Sequence, residues 1–554
     1  MRLIVLVALG FLASACATRP GFLDPDGEPQ SAYGSFLAAR YADASGDVGA
    51  SSRYYSDALS REPGSALLSE RAFFSALLAG DFERADEVAP AASLGEAAPR
   101  FVQIYMDAVR LTDTSRLPRV EPASAADGFS VLVEAILQSW DHIDRGQMDE
   151  ALAIASAMPG RYGNTALTLP HRALVLEAVG QTAIAEEAYR AGLTTVQPNT
   201  FAAALYGAFL ERQGRADEAT ALYSLYTKAG GQFPDPDLAA GVDRVGNNGR
   251  APAFPAPHEA AALALFAPAV LLAEEAPPDY AALYSRLVQR MDPAFQRNAF
   301  SLASLLSDLD LNDAAIAVYS AVDEGPWWVR GQVNLALLAY ELDRTEDAIA
   351  ITQSLIDETG DTSADLFLAD FLRGAGRCEE ALPLYLSASQ RQPEDFRPFF
   401  LGGLCTEQTQ GWEVAEPYYL EALELAPNDA QLLNHVGYNW IVLDRRVEEG
   451  FAMVEQAASL EPENGSILDS LGWGYFKRGR LEDAVYWLEK AIELSPSNPT
   501  ITWHLGDAYA SVGRTLEARF QWQRALELDP DDAIAAILER RLELGLEAGP
   551  ADLE

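Results

Sequence analysis

Lysine is almost absent from this chain. Of 554 residues only Lys228, Lys477 and Lys490 are lysine, and all Lys and Arg together number 40 against 82 Asp and Glu, a formal net charge of -42. Nucleic acid and anionic lipid surfaces would both repel such a chain. That excludes two partner classes and favours a basic or neutral protein or peptide. Cysteine is scarce too: Cys16, Cys378 and Cys405 are the three, with no CxxC pair and no Cys/His cluster at metal-ligand spacing, so no metal is assigned. The five histidines (His142, His171, His258, His435, His504) are scattered, and no nucleophile elbow, phosphate loop or HExxH occurs. No catalytic constellation assembles, so neither an enzyme nor a cofactor is expected. Long apolar runs are missing as well. The run 262–273 is apolar all round but interrupted by Pro268, which reads as a buried helix and not as a membrane span.

One short apolar run does stand out. Met1 and Arg2 precede an apolar stretch at 3–12, and Ala13-Ser14-Ala15 supply small residues immediately before Cys16. This is the layout of an export signal, too short to span as a mature helix. The segment LASAC resembles the lipobox of bacterial lipoproteins, although Leu12 lies one place earlier than the usual Leu, with Ala13 in its position. The resemblance implies cleavage before Cys16 and acylation of that cysteine, which would supply more than one acyl chain and hence a stable anchor. Ala17 stands where an Asp commonly retains such proteins at the inner membrane, so the resemblance points to the periplasmic side of the outer membrane. Residues 18–30, rich in Pro, Gly and Asp, read as a flexible tether of at most about 45 Å.

What dominates the remainder is repetition. GSILDSLGWGYFKRGRLEDAVYWLEKAIELSPSN (465–498) and PTITWHLGDAYASVGRTLEARFQWQRALELDPDD (499–532) match at Leu471/Leu505, Gly472/Gly506, Tyr475/Tyr509, Gly479/Gly513, Ala484/Ala518, Ala491/Ala525 and Pro496/Pro530. Small residues sit where two helices must approach, a glycine makes the turn between them, and a proline stops the second. This pattern resembles the tetratricopeptide repeat. It implies an all-α, superhelical solenoid of helix-turn-helix hairpins, since a lone hairpin cannot bury its apolar face and must stack on neighbours.

The expected organisation is a signal peptide at 1–15, a lipidated cysteine and tether at 16–30, and an N-terminal array at 31–229 with a degenerate segment near 95–131. An irregular joint and degenerate repeat follow at 230–295. A regular array at 296–532 is then closed by a capping helix and tail at 533–554. The joint rests on five prolines and no sustained helical stripe between 230 and 257. Trp327-Trp328 is expected to open a helix by burial. Cys378 and Cys405 fall near one edge of neighbouring hairpins, and an exported compartment is oxidising. They are either a disulfide stapling two repeats or two small buried apolar residues.

Tetratricopeptide arrays bind along the concave face lined by their first helices. Transferring those positions selects Asn434, Tyr438, Asp469, Trp473, Phe476, Lys477, Trp503 and Asp507 as partner-binding residues. Aromatics among hydrogen-bonding groups suit an extended peptide or a partner helix; the alternative for Trp473 and Trp503 is packing between repeats. The region 430–530, with its LDSLGW unit, is similar to a proteobacterial family of tetratricopeptide outer-membrane lipoproteins. One branch of that family is the adaptor of a periplasmic carboxyl-terminal processing protease, to which it delivers peptidoglycan hydrolases. The resemblance implies a non-enzymatic, lipid-anchored periplasmic scaffold with those partners. The alternative is a scaffold for polysaccharide export, outer-membrane assembly or pilus secretion.

Overall fold

The computed structural model describes residue 29 and residues 31–94, 99–112, 128–162, 168–193, 199–229, 234–275, 277–360 and 364–547. Cys16, the tether and most of the expected degenerate segment after Thr112 lie outside them. The described elements are α-helices, with one 3-10 turn at Gly545–Glu547. No described helix is long and apolar enough to cross a membrane.

The chain divides into two units, the first ending at Arg344 and the second beginning at Thr345. The first holds α1 (Ala32–Ala44), α2 (Val48–Arg61), α3 (Ala66–Ala79), α4 (Phe82–Ala92), α5 (Arg100–Thr112), α6 (Gly128–Asp144), α7 (Met148–Tyr162), α8 (Leu169–Ala178) and α9 (Thr182–Gly192). It continues with α10 (Thr200–Arg212), α11 (Ala216–Ala229), α12 (Pro236–Gly246), α13 (Pro257–Glu275), α14 (Pro278–Met291), α15 (Gln296–Asp308), α16 (Asn312–Ser320) and α17 (Trp328–Glu341). The second holds α18 (Thr345–Thr359), α19 (Asp365–Gly374), α20 (Cys378–Arg391), α21 (Arg397–Gln410), α22 (Trp412–Leu425), α23 (Ala430–Val442) and α24 (Val447–Leu460). Then come α25 (Gly465–Lys477), α26 (Leu481–Leu494), α27 (Pro499–Ser511), α28 (Thr515–Glu527) and the closing α29 (Asp532–Leu544).

The second unit shows why these residues make hairpins. The first helices α23, α25 and α27 are each opened by a side chain that follows a proline turn: Asp429 accepts from the Leu432 N–H at 2.9 Å, Asn464 from Ser466 at 3.1 Å, and Asn498 from Thr500 at 2.9 Å. Such caps satisfy N–H groups that the helix itself leaves unpaired. Gly479 then turns the chain at φ 74°, a left-handed conformation that costs glycine nothing. At the seam a Cβ on Gly472 would stand 2.7 Å from the Leu488 Cγ. Only glycine allows α25 and α26 to approach this closely. Cys378 at the start of α20 and Cys405 in α21 are bonded to each other, with Cα atoms 5.0 Å apart.

Two parts of the first unit depart from the expected layout. The stretch expected to be a joint contains α12, whose Asp235 cap accepts from the Asp237 and Leu238 N–H groups. Pro236 opens that helix where its missing N–H is harmless, so it is no breaker there. The helix is held by Arg297, whose guanidinium reaches Asp235 at 2.6 Å and Asp237 at 2.8 Å, and by the buried Trp327, whose indole N–H donates to Asp237 at 2.9 Å. The dividing point falls after Arg344, so α15 to α17 lie in the first unit.

The second departure matters more. α13 and α14 form a hairpin that folds back onto the first helices α3, α5, α6 and α8. Ala260, Ala261, Ala262 and Ala264 of α13 are wholly buried, as small residues at a close helix contact should be. Tyr284 of α14 meets Phe101 and Phe129 edge-on, with ring centres 4.9 and 5.1 Å apart, and Phe266 of α13 meets Phe201 of α10 at 4.9 Å. The Arg286 guanidinium donates to the Leu78 carbonyl at 2.8 and 3.1 Å, satisfying an acceptor that the last turn of α3 leaves open. Burial pushes this arginine down to about 10. Arg290 reaches Asp86 of α4 at 2.9 Å. The first-helix face of this unit is therefore occupied by the chain itself.

Candidate protein-binding face

In the second unit the equivalent face, made by α19, α21, α23, α25 and α27, carries no such hairpin from its own unit among the described residues. Its side chains are tied by a recurring device also present in the first unit. A second-helix tyrosine donates to a first-helix carboxylate twelve residues before it: Tyr55 to Asp43, Tyr189 to Glu177, Tyr223 to Glu211 and Tyr419 to Glu407, at 2.6 to 2.8 Å. The same rank of carboxylates is bridged by a cationic or imidazole group from the next repeat. Arg212 reaches Glu177 at 2.7 Å, Arg244 reaches Glu211, and His435 Nε2 lies 2.9 Å from Glu407; at another first-helix position, His504 Nδ1 of the next repeat lies 2.9 Å from Asp469. Carboxylates engaged from two repeats lock neighbours in register. Burial lifts the Glu407 carboxyl, but hydrogen bonds from His435 and Tyr419 outweigh it and hold Glu407 below its ordinary value.

Contacts between neighbouring repeats decide the fate of the selected residues. Asp469, Trp473, Phe476 and Trp503 come together in one cluster around His504, and Tyr438 lies beside Asp469. Trp473 is only 8% exposed. Its indole lies flat against the His504 ring at 4.0 Å on one side and stacks with Phe476 at 4.6 Å. It packs between repeats and does not present a surface for contact. Asp469 is likewise buried against His504. Asp507, at 1% exposure, accepts from the Trp522 indole N–H at 2.9 Å and from Arg541 of α29 at 3.1 Å. Burial still raises its carboxyl, the arginine offsetting only part of that. Asp507 thus fastens the closing helix to the array instead of facing a partner.

What remains accessible is narrower. Asn434, Tyr438, Phe476 and Trp503 are half-buried and Lys477 is exposed. Leu366, Phe367, Phe400 and Leu404, on α19 and α21, are half-buried at equivalent places. Burial drives the Tyr438 hydroxyl far above its ordinary value, with the Asp469 carboxylate adding to it, so it acts as a neutral donor. The Asn434 Oδ1 and the Trp503 indole nitrogen are buried with no hydrogen-bond partner among the described residues. A row of partly covered apolar groups interrupted by amide, phenol and indole suits an apolar peptide or helix that also offers backbone hydrogen bonds. No group of side chains among the described residues is arranged to hold a metal ion.

Comparisons with known proteins match this architecture. A family model described as tetratricopeptide repeat matches residues 366–430, and one described as TPR repeat matches 474–513. A TPR repeat-containing protein of Pseudomonas aeruginosa is 24% identical over 187 residues, which are 33% of this chain and 32% of that protein, so the match spans about a third of its length. Among solved structures, the Cut9–Hcn1 hetero-tetramer of the APC/C aligns with 93% of this chain and 97% of its own at 14% identity and a TM-score of 0.39. YrrB, a TPR protein with an unusual peptide-binding site, aligns with 34% of this chain and 97% of its own at 17% identity and a TM-score of 0.28.

Proposed function

We propose, on the premise that this chain is a tetratricopeptide-repeat solenoid and hence a protein-binding scaffold, that it is a non-enzymatic adaptor anchored by lipid at Cys16 to the periplasmic side of the outer membrane. Its partners are a carboxyl-terminal processing protease and the cell-wall hydrolases that the protease degrades. The observation that carries the binding part is the contrast between the two first-helix faces: one is filled by α13 and α14, the other leaves Lys477 exposed and Phe476, Trp503 and Asn434 half-buried. The anchor and the named partners rest on LASAC before Cys16 and on the likeness of 430–530 to adaptor lipoproteins.

The test is capture from detergent-solubilised envelope with the full-length protein, beside a Phe476→Ala/Lys477→Glu variant. Lys477 is exposed, but Phe476 is half-buried and stacked on Trp473, so the variant's denaturation midpoint is measured alongside and only a loss of capture by folded protein counts. Recovery of a processing protease together with hydrolases, reduced by about tenfold or more in the variant, is the expected result. Recovery of export or secretion components in their place would replace the named partners. Equal recovery by both proteins would move the binding surface off this face.

A further inference from the structure

The first helix of the array ends the stack with an apolar face. In four interior repeats the residue two places after the small seam residue is buried, namely Phe209 after Gly207, Cys405 after Gly403, Gly474 after Gly472 and Ala508 after Gly506, and in the repeat of Gly437 it is the half-buried Asn439. It faces the preceding repeat, since a Cβ on Gly474 would meet Phe451 and Ile441 at 3.0 and 3.3 Å. In α1 the seam residue is Ala39, and the equivalent position is Tyr41. Tyr41 is 74% exposed, with Leu37 at 47% and Tyr33 at 65% four and eight places earlier. That spacing puts the three on one stripe of the helix. Solenoid ends are ordinarily closed by polar surfaces, so an aromatic-aliphatic stripe at this end calls for a cover.

We propose that this stripe lies against the lipid surface to which the chain is anchored, so that α1 rests flat on the bilayer and sets the direction in which the array projects. The inference rests on the anchoring of Cys16. From that residue the chain has a reach of at most about 45 Å before α1 begins, so the stripe lies within reach of the membrane. Tyrosine and leucine together fit the boundary between headgroups and acyl chains, the ring buried and the hydroxyl wet. Asp43, the carboxylate of α1, is engaged by the Ser51 and Tyr55 hydroxyls. Arg40, exposed beside Tyr41, has no ion pair among the described residues and is placed to meet a lipid phosphate. The stripe alone is too small to hold the protein on a membrane. Tethering raises its local concentration enough for a weak contact to orient the molecule. Because the whole chain is strongly acidic, the lipid is zwitterionic, as in phosphatidylethanolamine.

The full-length acylated protein tests this, in phosphatidylethanolamine–phosphatidylcholine vesicles carrying a nitroxide-labelled lipid. Cys378 and Cys405 are bonded to each other and Cys16 is acylated, so Leu37→Cys supplies one reactive thiol for a fluorophore. Leu225→Cys, also exposed but on α11, supplies the control. Quenching at position 37 roughly twofold or more above that at 225 is expected for a face buried at the headgroup boundary. Equal quenching at the two positions, with the Cys16 peptide acylated by mass, overturns the membrane contact and leaves the anchor standing. An unmodified Cys16 peptide overturns the anchor and this inference with it. A dimer in sedimentation that disappears in Tyr33→Ser/Tyr41→Ser assigns the stripe to a second copy and also overturns the contact.

Discussion

The two units bury their first helices in opposite ways. In the first, α13 and α14 fill the face of α3, α5, α6 and α8, and the interior is continuous from Ala39 to Met291. In the second, no such hairpin from its own unit lies on the first helices among the described residues, and their contacts run between neighbouring repeats. The difference teaches that a repeat array need not be a binding groove along its whole length. Where the groove is filled, long-range packing supplies stability; where it is open, the stability must come from local stacking, and the surface is left for another protein. The disulfide between Cys378 and Cys405 lies in the open unit, where a covalent tie between neighbours has most to add.

The comparison is broken most directly by placing a charge where the hairpin docks. Ala262→Glu puts a carboxylate at a wholly buried position, a change that costs about 4 kcal/mol or more. The first unit should open while the second persists, leaving a protease-resistant fragment that begins near Thr345. Loss of both units in one transition would show that they do not fold separately. Next in size is the disulfide. Cys378→Ser/Cys405→Ser releases a loop of 27 residues, which lowers the stability of the second unit by about 3 kcal/mol, read as a fall in its denaturation midpoint with the first unit unchanged.

Acid separates the units in another way. His171 of α8 is wholly buried, its two ring nitrogens have no partner among the described residues, and burial lowers it from 6.5 to about 3. The unfolded chain therefore takes the proton first. Stability is complete above about pH 6.5 and is lost as the pH falls towards 3, by about 3 kcal/mol at pH 4.5. A melting series from pH 7 to 4.5 should thus weaken the first unit first, and His171→Leu should flatten that dependence. If the acid sensitivity survives the substitution, another buried group carries it.

How much of this was legible depends on how far apart the causes lie in the chain. The hairpins were readable because their markers are local: Gly472, Gly479 and Pro496 each do their work within one unit of the repeat. The helix α12 was not, because Pro236 looks the same in sequence whether it ends a helix or opens one. The docking of α13 and α14 joins residues about two hundred places apart, as Arg286 does with Leu78, and no periodicity records that. The one trace was the all-round apolar run at 262–273, which had no polar face to leave in water. At the site, repeat offsets put Trp473 on the right helix face, but its burial is decided by His504, supplied by the next repeat. The offset locates a residue; its neighbours decide whether it is reachable.

That distinction gives the smallest expected effect on stability and the sharpest test of the contrast. Lys477 is exposed at the end of α25 and has neither an ion pair nor a hydrogen bond of its side chain among the described residues, so Lys477→Glu should move the denaturation midpoint of the second unit by no more than about 0.5 kcal/mol. Trp473→Ala, by contrast, empties the stack between Phe476 and His504 and should cost about 3 kcal/mol or more. Partner capture reverses the logic. Lys477→Glu should weaken capture with the fold intact, and any loss seen with Trp473→Ala should track its loss of stability, recovering when the assay is cooled. A Lys477→Glu protein that binds as well as the parent, beside a Trp473→Ala protein that stays folded and does not bind, would mean that the buried stack opens to receive its partner and that the second face is less preformed than its packing implies.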